Sequence, residues 1–269
     1  MAVFTISFFS KTLTRHTQMV AIIPVDAMDF PAMPGMPPPP DRSKPFRSLY
    51  LLHGYSGSEV DWLYGSRIQQ LSMMHNIAVF CPAGENSFYL DDKIRGAHYS
   101  KLLCEELIEL TRKVFPISHR REDTIIGGLS MGGYGAIRNG LYRSDVFGSV
   151  IALSSALITD NVSKGVENNP MIPADYFRHT FGPPEKIKGS DVDPEYLAKR
   201  IVEENLPRPN IFMACGTEDF LIRENRAFHK VLEDVGIEHT YLEGPGTHEW
   251  AFWDTYIEKA LQWYDNLSK

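Results

Sequence analysis

A glycine-flanked serine is the side chain best placed to do covalent chemistry in this chain. Residues 127–135 read Gly-Gly-Leu-Ser-Met-Gly-Gly-Tyr-Gly and contain the pattern Gly-x-Ser-x-Gly around Ser130. Residues 124–126 precede it with strand character, so the segment predicts a strand that turns sharply into a helix and exposes Ser130 at the turn. A glycine-rich loop with an incidental serine is the alternative. A phosphate-binding loop is disfavoured, because the lysine and Ser/Thr of a P-loop are missing after these glycines.

A serine hydroxyl is a weak nucleophile near pH 7, so it requires a base, and the base requires an acid that fixes its tautomer. Where serine stands on such a turn, the acid follows a later strand and the histidine follows the last one. Asp219 and His248 each lie in the loop that follows one of the last two predicted strands. These positions predict Ser130 as nucleophile, His248 as general base and Asp219 as the acid. Glu218, the neighbour of Asp219, is the alternative acid.

Other histidines compete for the role of the base, since the chain has nine. His229 and His239 fall within predicted secondary-structure elements, where a structural or surface role is the ordinary expectation. His179 lies in a predicted insertion, and His53 lies beside a predicted turn. Only His248 follows the last strand, and it remains the predicted base.

Acyl transfer also needs hydrogen-bond donors aimed at the oxyanion that develops on the substrate. One donor is expected to be the backbone N–H of Met131, the residue after the nucleophile. We assign the other to the N–H of Tyr55, in the glycine-flanked turn 53–57 that follows the predicted strand 48–53. A plain strand-to-helix turn is the alternative for that segment.

Strand-length apolar runs alternate with helix-period segments after residue 46, and this alternation is typical of a parallel α/β sheet. An antiparallel pair is expected to precede it. A helix over 99–115 is predicted to bury a stripe that ends at Val114, and the chain is expected to end in a helix over 249–267. The predicted strands are 2–9, 18–25, 48–53, 77–82, 124–129, 149–154, 210–215 and 238–243.

The domain organisation is predicted to be a single domain over residues 1–269, because that length suits one large α/β unit. Two segments interrupt the alternation. Residues 31–45 carry seven of the 18 prolines and predict an extended surface loop, with a PxxP recognition site as the alternative. Residues 156–209, called here the cap-like insertion, are expected to cover the site or to be a solvated insertion without a role.

Composition excludes several classes of function. The net charge of -7 offers no basic stripe for nucleic acid. The longest nearly apolar run falls short of the roughly 20 residues that span a bilayer, so no membrane partner is expected. Cys81, Cys104 and Cys215 have neither metal-ligand nor paired spacing, which predicts small buried hydrophobes and no disulfides. No secretory signal is apparent at the N-terminus, so the cytoplasm is the expected location.

Four ordered motifs carry a resemblance to a known family. They are 51–57 (Leu-Leu-His-Gly-Tyr-Ser-Gly) with Trp62, then 128–135, then 216–220 (Gly-Thr-Glu-Asp-Phe), then 246–250 (Gly-Thr-His-Glu-Trp). Together they resemble the esterase D branch of the α/β-hydrolases, and bacterial tributyrin esterases most of all. The resemblance implies an α/β-hydrolase fold, the Ser130, Asp219 and His248 triad, and Tyr55 and Met131 as oxyanion donors. The proline-rich segment is longer than the family leads us to expect.

The expected function is therefore serine carboxylesterase activity on short-chain acyl esters such as acetyl and butyryl esters, tributyrin or acetylated carbohydrates, with no metal or organic cofactor. Feruloyl, cinnamoyl or acetyl-xylan esterase, S-formylglutathione hydrolase and acyltransferase activities are alternatives on the same triad. A catalytically silent binding module is the alternative of another class. Since relatives of this kind assemble, a homo-oligomer is among the expected states.

Aromatic residues near the predicted site are the candidates for substrate contact. Trp62, Phe88, Tyr89 and Trp250 are expected on loops that face the site. Aromatic faces suit sugar rings, aryl acids and alkyl chains alike. Residues 84–89 follow a strand at its C-terminal end and are the preferred contact for the leaving group.

Overall fold

The computed structural model describes residues 1–25, 43–92, 94–165 and 174–267. Most of the proline-rich segment lies outside them, as does part of the cap-like insertion. No helix in the described ranges is both long and apolar enough to cross a membrane.

An eight-stranded sheet forms the centre of the described part of the chain, in the order β1-β2-β4-β3-β7-β8-β9-β10. The pairs β1–β2 and β2–β4 are antiparallel, and every later pair in the sheet is parallel. The strands are β1 Ala2–Ser10, β2 Arg15–Ile23, β3 Arg47–Leu52, β4 Ile77–Pro82, β7 Thr124–Leu129, β8 Ser149–Leu153, β9 Asn210–Gly216 and β10 His239–Gly244, with a separate small hairpin of β5 Asp91–Asp92 and β6 Ala97–His98. The predicted opening pair and the parallel sheet are confirmed.

Helices cover both faces of the sheet. They are α1 Asp61–Gly65, α2 Ile68–His75, α3 Tyr99–Lys101, α4 Leu107–Val114, α5 Met131–Tyr142, α6 Thr159–Ser163, α7 Ala174–Phe181, α8 Pro194–Glu203, α9 Ile222–Asp234 and α10 Trp250–Leu267, with a π-helical turn over Leu102–Glu106 and 3₁₀ turns over Arg121–Asp123 and Pro184–Lys186. Side chains alternate along β3, so that Tyr50 and Leu52 join the core beneath α4 and α5 while Leu49 and Leu51 join the core beneath α2 and α10. The result is the three-layer α/β-hydrolase architecture.

The predicted helix over 99–115 is present but changes its winding in the middle. The π-helical turn takes up one residue more than an α-helical turn and rotates everything after it. Leu103 and Leu107 are buried as expected, but the buried face then continues through Ile108 and Thr111. Val114 is 58% exposed, so its predicted burial is wrong. A search for apolar residues at a constant helical period cannot reveal that the buried face of the helix shifts at this turn.

The cap-like insertion contributes α6, α7 and α8 to the described structure, and it packs over α5. The Tyr134 hydroxyl donates to the Val192 carbonyl at 2.6 Å, and Arg138 donates to the Asp191 carbonyl at 2.8 Å. Its helix α7 reaches the loop after β4, where Phe181 packs against Phe88 with ring centroids 4.8 Å apart. The insertion therefore lies at the end of the sheet where the parallel strands finish.

Candidate active site

Ser130 occupies a strained turn between β7 and α5. Its backbone has φ 53° and ψ -118°, a left-handed region that costs a non-glycine residue about 1–3 kcal/mol. The turn is held on both sides, because the Ser130 N–H donates to the Leu153 carbonyl at 2.9 Å and the Ala156 N–H donates to the Ser130 carbonyl at 2.9 Å. These contacts to β8 and its following loop fix the direction of the serine side chain.

Two glycines make this turn possible by letting backbones approach closely. A Cβ atom at Gly128 would lie 2.5 Å from the carbonyl group of Gly132. A Cβ atom at Gly132 would overlap the Leu52 carbonyl oxygen and lie 2.7 Å from that of His53. Helix α5 is therefore pressed directly against the end of β3, where the turn carrying Tyr55 begins.

The three residues predicted as a triad are brought together at the carboxyl ends of the strands. His248 Nε2 lies 2.9 Å from the Ser130 hydroxyl oxygen, and His248 Nδ1 lies 2.9 Å from Asp219 Oδ2. Because a carboxylate only accepts hydrogen bonds, Nδ1 must carry the proton that it donates to Asp219. Nε2 is then an acceptor for the serine O–H, which is the arrangement that a general base requires.

Asp219 is charged although it is almost fully buried. Burial by itself raises the pKa of this carboxyl, but hydrogen bonds from His248 and from the Leu221 N–H outweigh it, and the net pKa lies below its usual value. The Leu221 N–H donates to Oδ1 at 2.9 Å, which leaves Oδ2 for the histidine. The alternative acid, Glu218, instead accepts from the Gly246 N–H at 2.8 Å and holds the loop that carries His248.

Two aromatic rings contact the imidazole of His248. Trp253 meets it edge-on, with centroids 4.9 Å apart and planes at 88°. Phe220 also contacts the imidazole, with its ring centroid 4.6 Å away, and its side chain is 73% exposed. Phe220 directly follows Asp219 in the sequence, and that position is the signal that could have identified it as a residue beside the base.

The backbone amides of Tyr55 and Met131 are the predicted oxyanion donors. Met131 is the first residue of α5, so its N–H has no acceptor within the helix. Neither amide has a hydrogen-bond acceptor among the described residues. A Cβ at Gly54 would lie 3.6 Å from that of Ser130, so this turn runs beside the serine. Both N–H groups are thus free to donate to a ligand near Ser130.

His53 shapes the turn that carries Tyr55, a role that the sequence did not reveal. Its Nε2 accepts from the Gly84 N–H at 2.8 Å, which requires the proton on Nδ1, and Nδ1 donates to the Gly54 carbonyl at 2.8 Å. Burial lowers the pKa of His53, so the neutral ring is favoured. Its position next to the glycine of the turn was the available signal. The ring ties the turn after β3 to the loop after β4.

Three of the four aromatic residues expected to face a substrate are core residues. Trp62 is fully buried on α1, and its indole N–H donates to the Leu52 carbonyl at 2.9 Å. Phe88 and Tyr89 are buried as well, and the Tyr89 hydroxyl donates to the His53 carbonyl at 3.1 Å. Burial leaves these rings no surface for a ligand, and they support the site from behind. Trp250 is half-buried and packs on Trp62 with centroids 5.3 Å apart.

Tyr176, on α7, reaches the site from the cap-like insertion. Its ring packs edge-on against Tyr55 with centroids 5.5 Å apart, and its hydroxyl donates to the Asn86 carbonyl. The Asn86 side chain in turn accepts from the Ser56 N–H at 2.7 Å. Tyr176, His179 and Asn86 also line a cavity of about 300 Å³ between α7 and the loop after β4. No motif in the sequence marks Tyr176, because the contacts that bring it to the site, with Tyr55 and Asn86, are distant along the chain.

The other histidines take no part in the cluster around Ser130. His229 and His239 hydrogen-bond each other, with Nδ1 and Nε2 2.6 Å apart. The described residues contain no group of three or more His, Cys, Asp or Glu side chains arranged to hold a metal ion.

Comparison with known proteins identifies similar chains over the whole length. The family model described as putative esterase matches residues 35–264. The chain is 45% identical over 271 residues to an acetyl esterase of Caldicellulosiruptor saccharolyticus, and the match covers 100% of both chains. It also resembles FphF, a fluorophosphonate-binding serine hydrolase of Staphylococcus aureus, with a TM-score of 0.83, 29% identity and 98% of both chains covered. FrmB, an S-formylglutathione hydrolase of Staphylococcus aureus, gives a TM-score of 0.80 at 28% identity, again over 98% of both chains.

Proposed function

Starting from the fact that the chain belongs to the putative esterase family and is a serine ester hydrolase, we propose that it hydrolyses short acyl esters, acetyl esters foremost, through Ser130, His248 and Asp219. One observation carries this proposal. Ser130, His248 and Asp219 form an unbroken line of hydrogen bonds, each 2.9 Å long.

The first half of the reaction forms an acyl-enzyme. Ser130 Oγ attacks the ester carbonyl carbon while its proton passes to His248 Nε2. Ionised Asp219 stabilises the imidazolium that results. The N–H groups of Tyr55 and Met131 donate hydrogen bonds to the carbonyl oxygen as it becomes negative, and each such donor stabilises the transition state by about 2.7–4 kcal/mol. His248 then gives its proton to the departing alcohol.

The second half repeats the cycle with water. Water loses a proton to His248 Nε2 and attacks the acyl carbon. As the tetrahedral intermediate collapses, the bond between the acyl carbon and Ser130 Oγ breaks, His248 returns the proton to Oγ, and a carboxylic acid leaves. Every proton transfer uses the same imidazole, so this route requires no further cofactor. The strained turn at Ser130 supports this role, because it presents the hydroxyl at the start of α5 rather than in the core.

The preference for short acyl groups is supported by the 45% identity to an acetyl esterase and by the crowding beside Ser130. The Gly54 backbone and the paired rings of Tyr55 and Tyr176 adjoin the predicted oxyanion donors. We expect an acyl group bound with its carbonyl oxygen at those donors to meet these rings within a few carbon atoms. We therefore expect acetate and butyrate esters to fit and an octanoate to be excluded.

A series of p-nitrophenyl esters tests this function. We expect kcat/KM for the acetate and butyrate to exceed that for the octanoate at least about 100-fold, as loss of a productive pose entails. Ser130→Ala is the control and should abolish both turnover and labelling by a fluorophosphonate. An octanoate rate equal to that of the acetate would contradict the short-acyl assignment, and wild-type chain that no fluorophosphonate labels would be a silent binding module.

S-Formylglutathione hydrolysis is the second candidate, because FrmB is similar over nearly the whole chain. The formyl group is the smallest acyl group, so the same crowded site admits it. Measuring kcat/KM for S-formylglutathione beside p-nitrophenyl acetate separates the two. A thioester rate well above the acetate rate would favour the second candidate, and negligible thioester turnover would remove it.

A further inference from the structure

Strand β8 ends as β7 does, with a serine in a left-handed backbone conformation. Ser154 directly follows β8 and has φ 44°. Its N–H donates to the Ala214 carbonyl of β9 at 2.8 Å, just as the Ser130 N–H donates to Leu153 on the next strand. Strain of this kind persists only where the surroundings enforce it, and it concentrates at functional sites. The reaction described above gives Ser154 no role.

The Ser154 hydroxyl lies between α10 and the carboxylate of the triad. It is fully buried and accepts from the indole N–H of Trp253 at 3.0 Å. A hydroxyl that accepts one hydrogen bond still has its own proton to donate. Burial raises the pKa of Asp219, and the Ser154 hydroxyl is among the neighbouring groups that lower it. The same hydroxyl also neighbours the Cys215 thiol.

Trp253 joins the two ends of this arrangement. Its N–H is committed to Ser154, and its ring meets the His248 imidazole edge-on at 4.9 Å. The side chain is buried and belongs to the last helix, whose core face packs on the sheet. One rigid indole thus touches the imidazole and reaches the hydroxyl beside Asp219.

We propose that Ser154 and Trp253 are positioning residues for the triad: Trp253 donates to Ser154, Ser154 donates to Asp219, and the indole edge holds the His248 ring in line with Ser130. This inference rests on the proposed catalytic roles of Ser130, His248 and Asp219. Neither residue touches the substrate. They keep the acid and the base at the distances that proton transfer requires.

Three substitutions separate the hydroxyl from the backbone strain. Ser154→Ala removes the hydroxyl and keeps the strained backbone, whereas Ser154→Gly removes the hydroxyl and relieves the strain. Trp253→Phe keeps an aromatic ring and removes the N–H. Ser155→Ala is the matched control, because Ser155 is also buried but its hydroxyl has no partner in the described structure.

We expect Ser154→Ala to lower kcat for p-nitrophenyl acetate about 10-fold with KM unchanged, the size expected for one hydrogen bond to a charged group. Ser154→Gly should melt at a higher temperature than Ser154→Ala without regaining activity. Trp253→Phe should lose a similar factor, and the double variant should lose less than the product of the two, because both act through one chain of contacts. Ser155→Ala should keep wild-type kcat.

The pH profile of kcat/KM provides a second readout, because it would not change if Ser154 had only a structural role. Without the Ser154 donor, Asp219 attracts the imidazolium more strongly, so the acid limb of kcat/KM should move to higher pH in Ser154→Ala. The groups that face Asp219 are His248, the Ser154 hydroxyl, the Leu221 N–H and Cys215. Burial raises the pKa of the Cys215 thiol to about 12, so it stays neutral across the profile.

Two results would overturn the inference. One is a Ser154→Ala variant with kcat within twofold of wild type and an unmoved acid limb. The other is a double variant whose loss of kcat equals the product of the losses in Ser154→Ala and Trp253→Phe. Fluorophosphonate labelling of the wild type distinguishes this failure from failure of the proposed function. If the wild type is labelled and Ser154→Ala reacts at the same rate, the positioning role alone is refuted. If the wild type itself is not labelled, the triad assignment fails.

Discussion

Replacing Gly132 by alanine tests whether the contact between α5 and the turn after β3 sets the geometry of the site. The added Cβ would overlap the Leu52 carbonyl oxygen and lie 2.7 Å from that of His53, whereas ordinary contacts begin at 3.4 Å. Both neighbours are backbone atoms, so no side chain can rotate away. Restoring an ordinary contact to His53 alone requires a displacement of about 0.7 Å between the helix and the turn.

That displacement separates the two predicted oxyanion donors, since Met131 begins the helix and Tyr55 belongs to the turn. A misplacement of about 1 Å can cost about 100-fold in rate, so we expect kcat for p-nitrophenyl acetate to fall by about that factor. Overpacking should also cost about 1–3 kcal/mol of stability. Alanine is favoured over glycine in a helix by about 1 kcal/mol, so the helix itself would not be the cause of either loss.

Gly140→Ala supplies the matched control in the same helix. Its Cβ would collide with the Val150 side chain, away from the turn after β3. We expect a lower Tm by circular dichroism but a kcat within twofold of wild type, once active sites are counted by fluorophosphonate titration. The reasoning is refuted if Gly132→Ala keeps at least half of the wild-type kcat per titrated site, or if Gly140→Ala loses as much.

Two further predictions concern the acid and the buried histidine. Asp219→Asn should lower kcat about 10⁴-fold, because an amide donor in place of the carboxylate favours the wrong tautomer of His248. Glu218→Gln should keep kcat within about threefold of wild type. If steady-state assays give comparable losses for both variants, the role of the acid passes to Glu218. Burial lowers the pKa of His53 in the folded chain. As the pH falls below about 6.5, the imidazole therefore takes up a proton in the unfolded chain but resists it in the folded chain. The contribution of neutral His53 to stability is complete above that pH and is lost as the pH falls. Urea unfolding between pH 7 and 5.5 should show that the free energy of unfolding of the wild type declines by up to about 1.4 kcal/mol more per pH unit than that of His53→Asn. The same pH dependence in both proteins would contradict this prediction.

The parts of the site that follow local patterns could be predicted from the sequence. Ser130 lies in a recognisable motif, and Asp219 and His248 lie in the loops that follow two predicted strands. Parallel strands end at one edge of a sheet, so position along the chain sufficed to bring the three together.

Residues whose surroundings come from distant segments could not be assigned in this way. Phe88 and Tyr89 stand on a loop in the sequence, yet both adopt positive φ values, 51° and 55°, that turn their rings into the core. Tyr176 meets Tyr55 only because the cap-like insertion folds back over the sheet. The exposure of Val114 follows from a single π-helical turn, which no hydrophobic period announces.

Because the three cysteines are buried, the folded native chain has no thiol that reacts readily with labelling reagents. Burial raises the pKa of Cys104 and Cys215 to about 12 and that of Cys81 further still, and only the thiolate reacts with maleimides. A cysteine introduced at Phe220, 73% exposed at the rim beside His248, would be the single reactive thiol of the folded chain. A fluorophore or spin label attached there could follow ligand entry in real time without removal of any native cysteine.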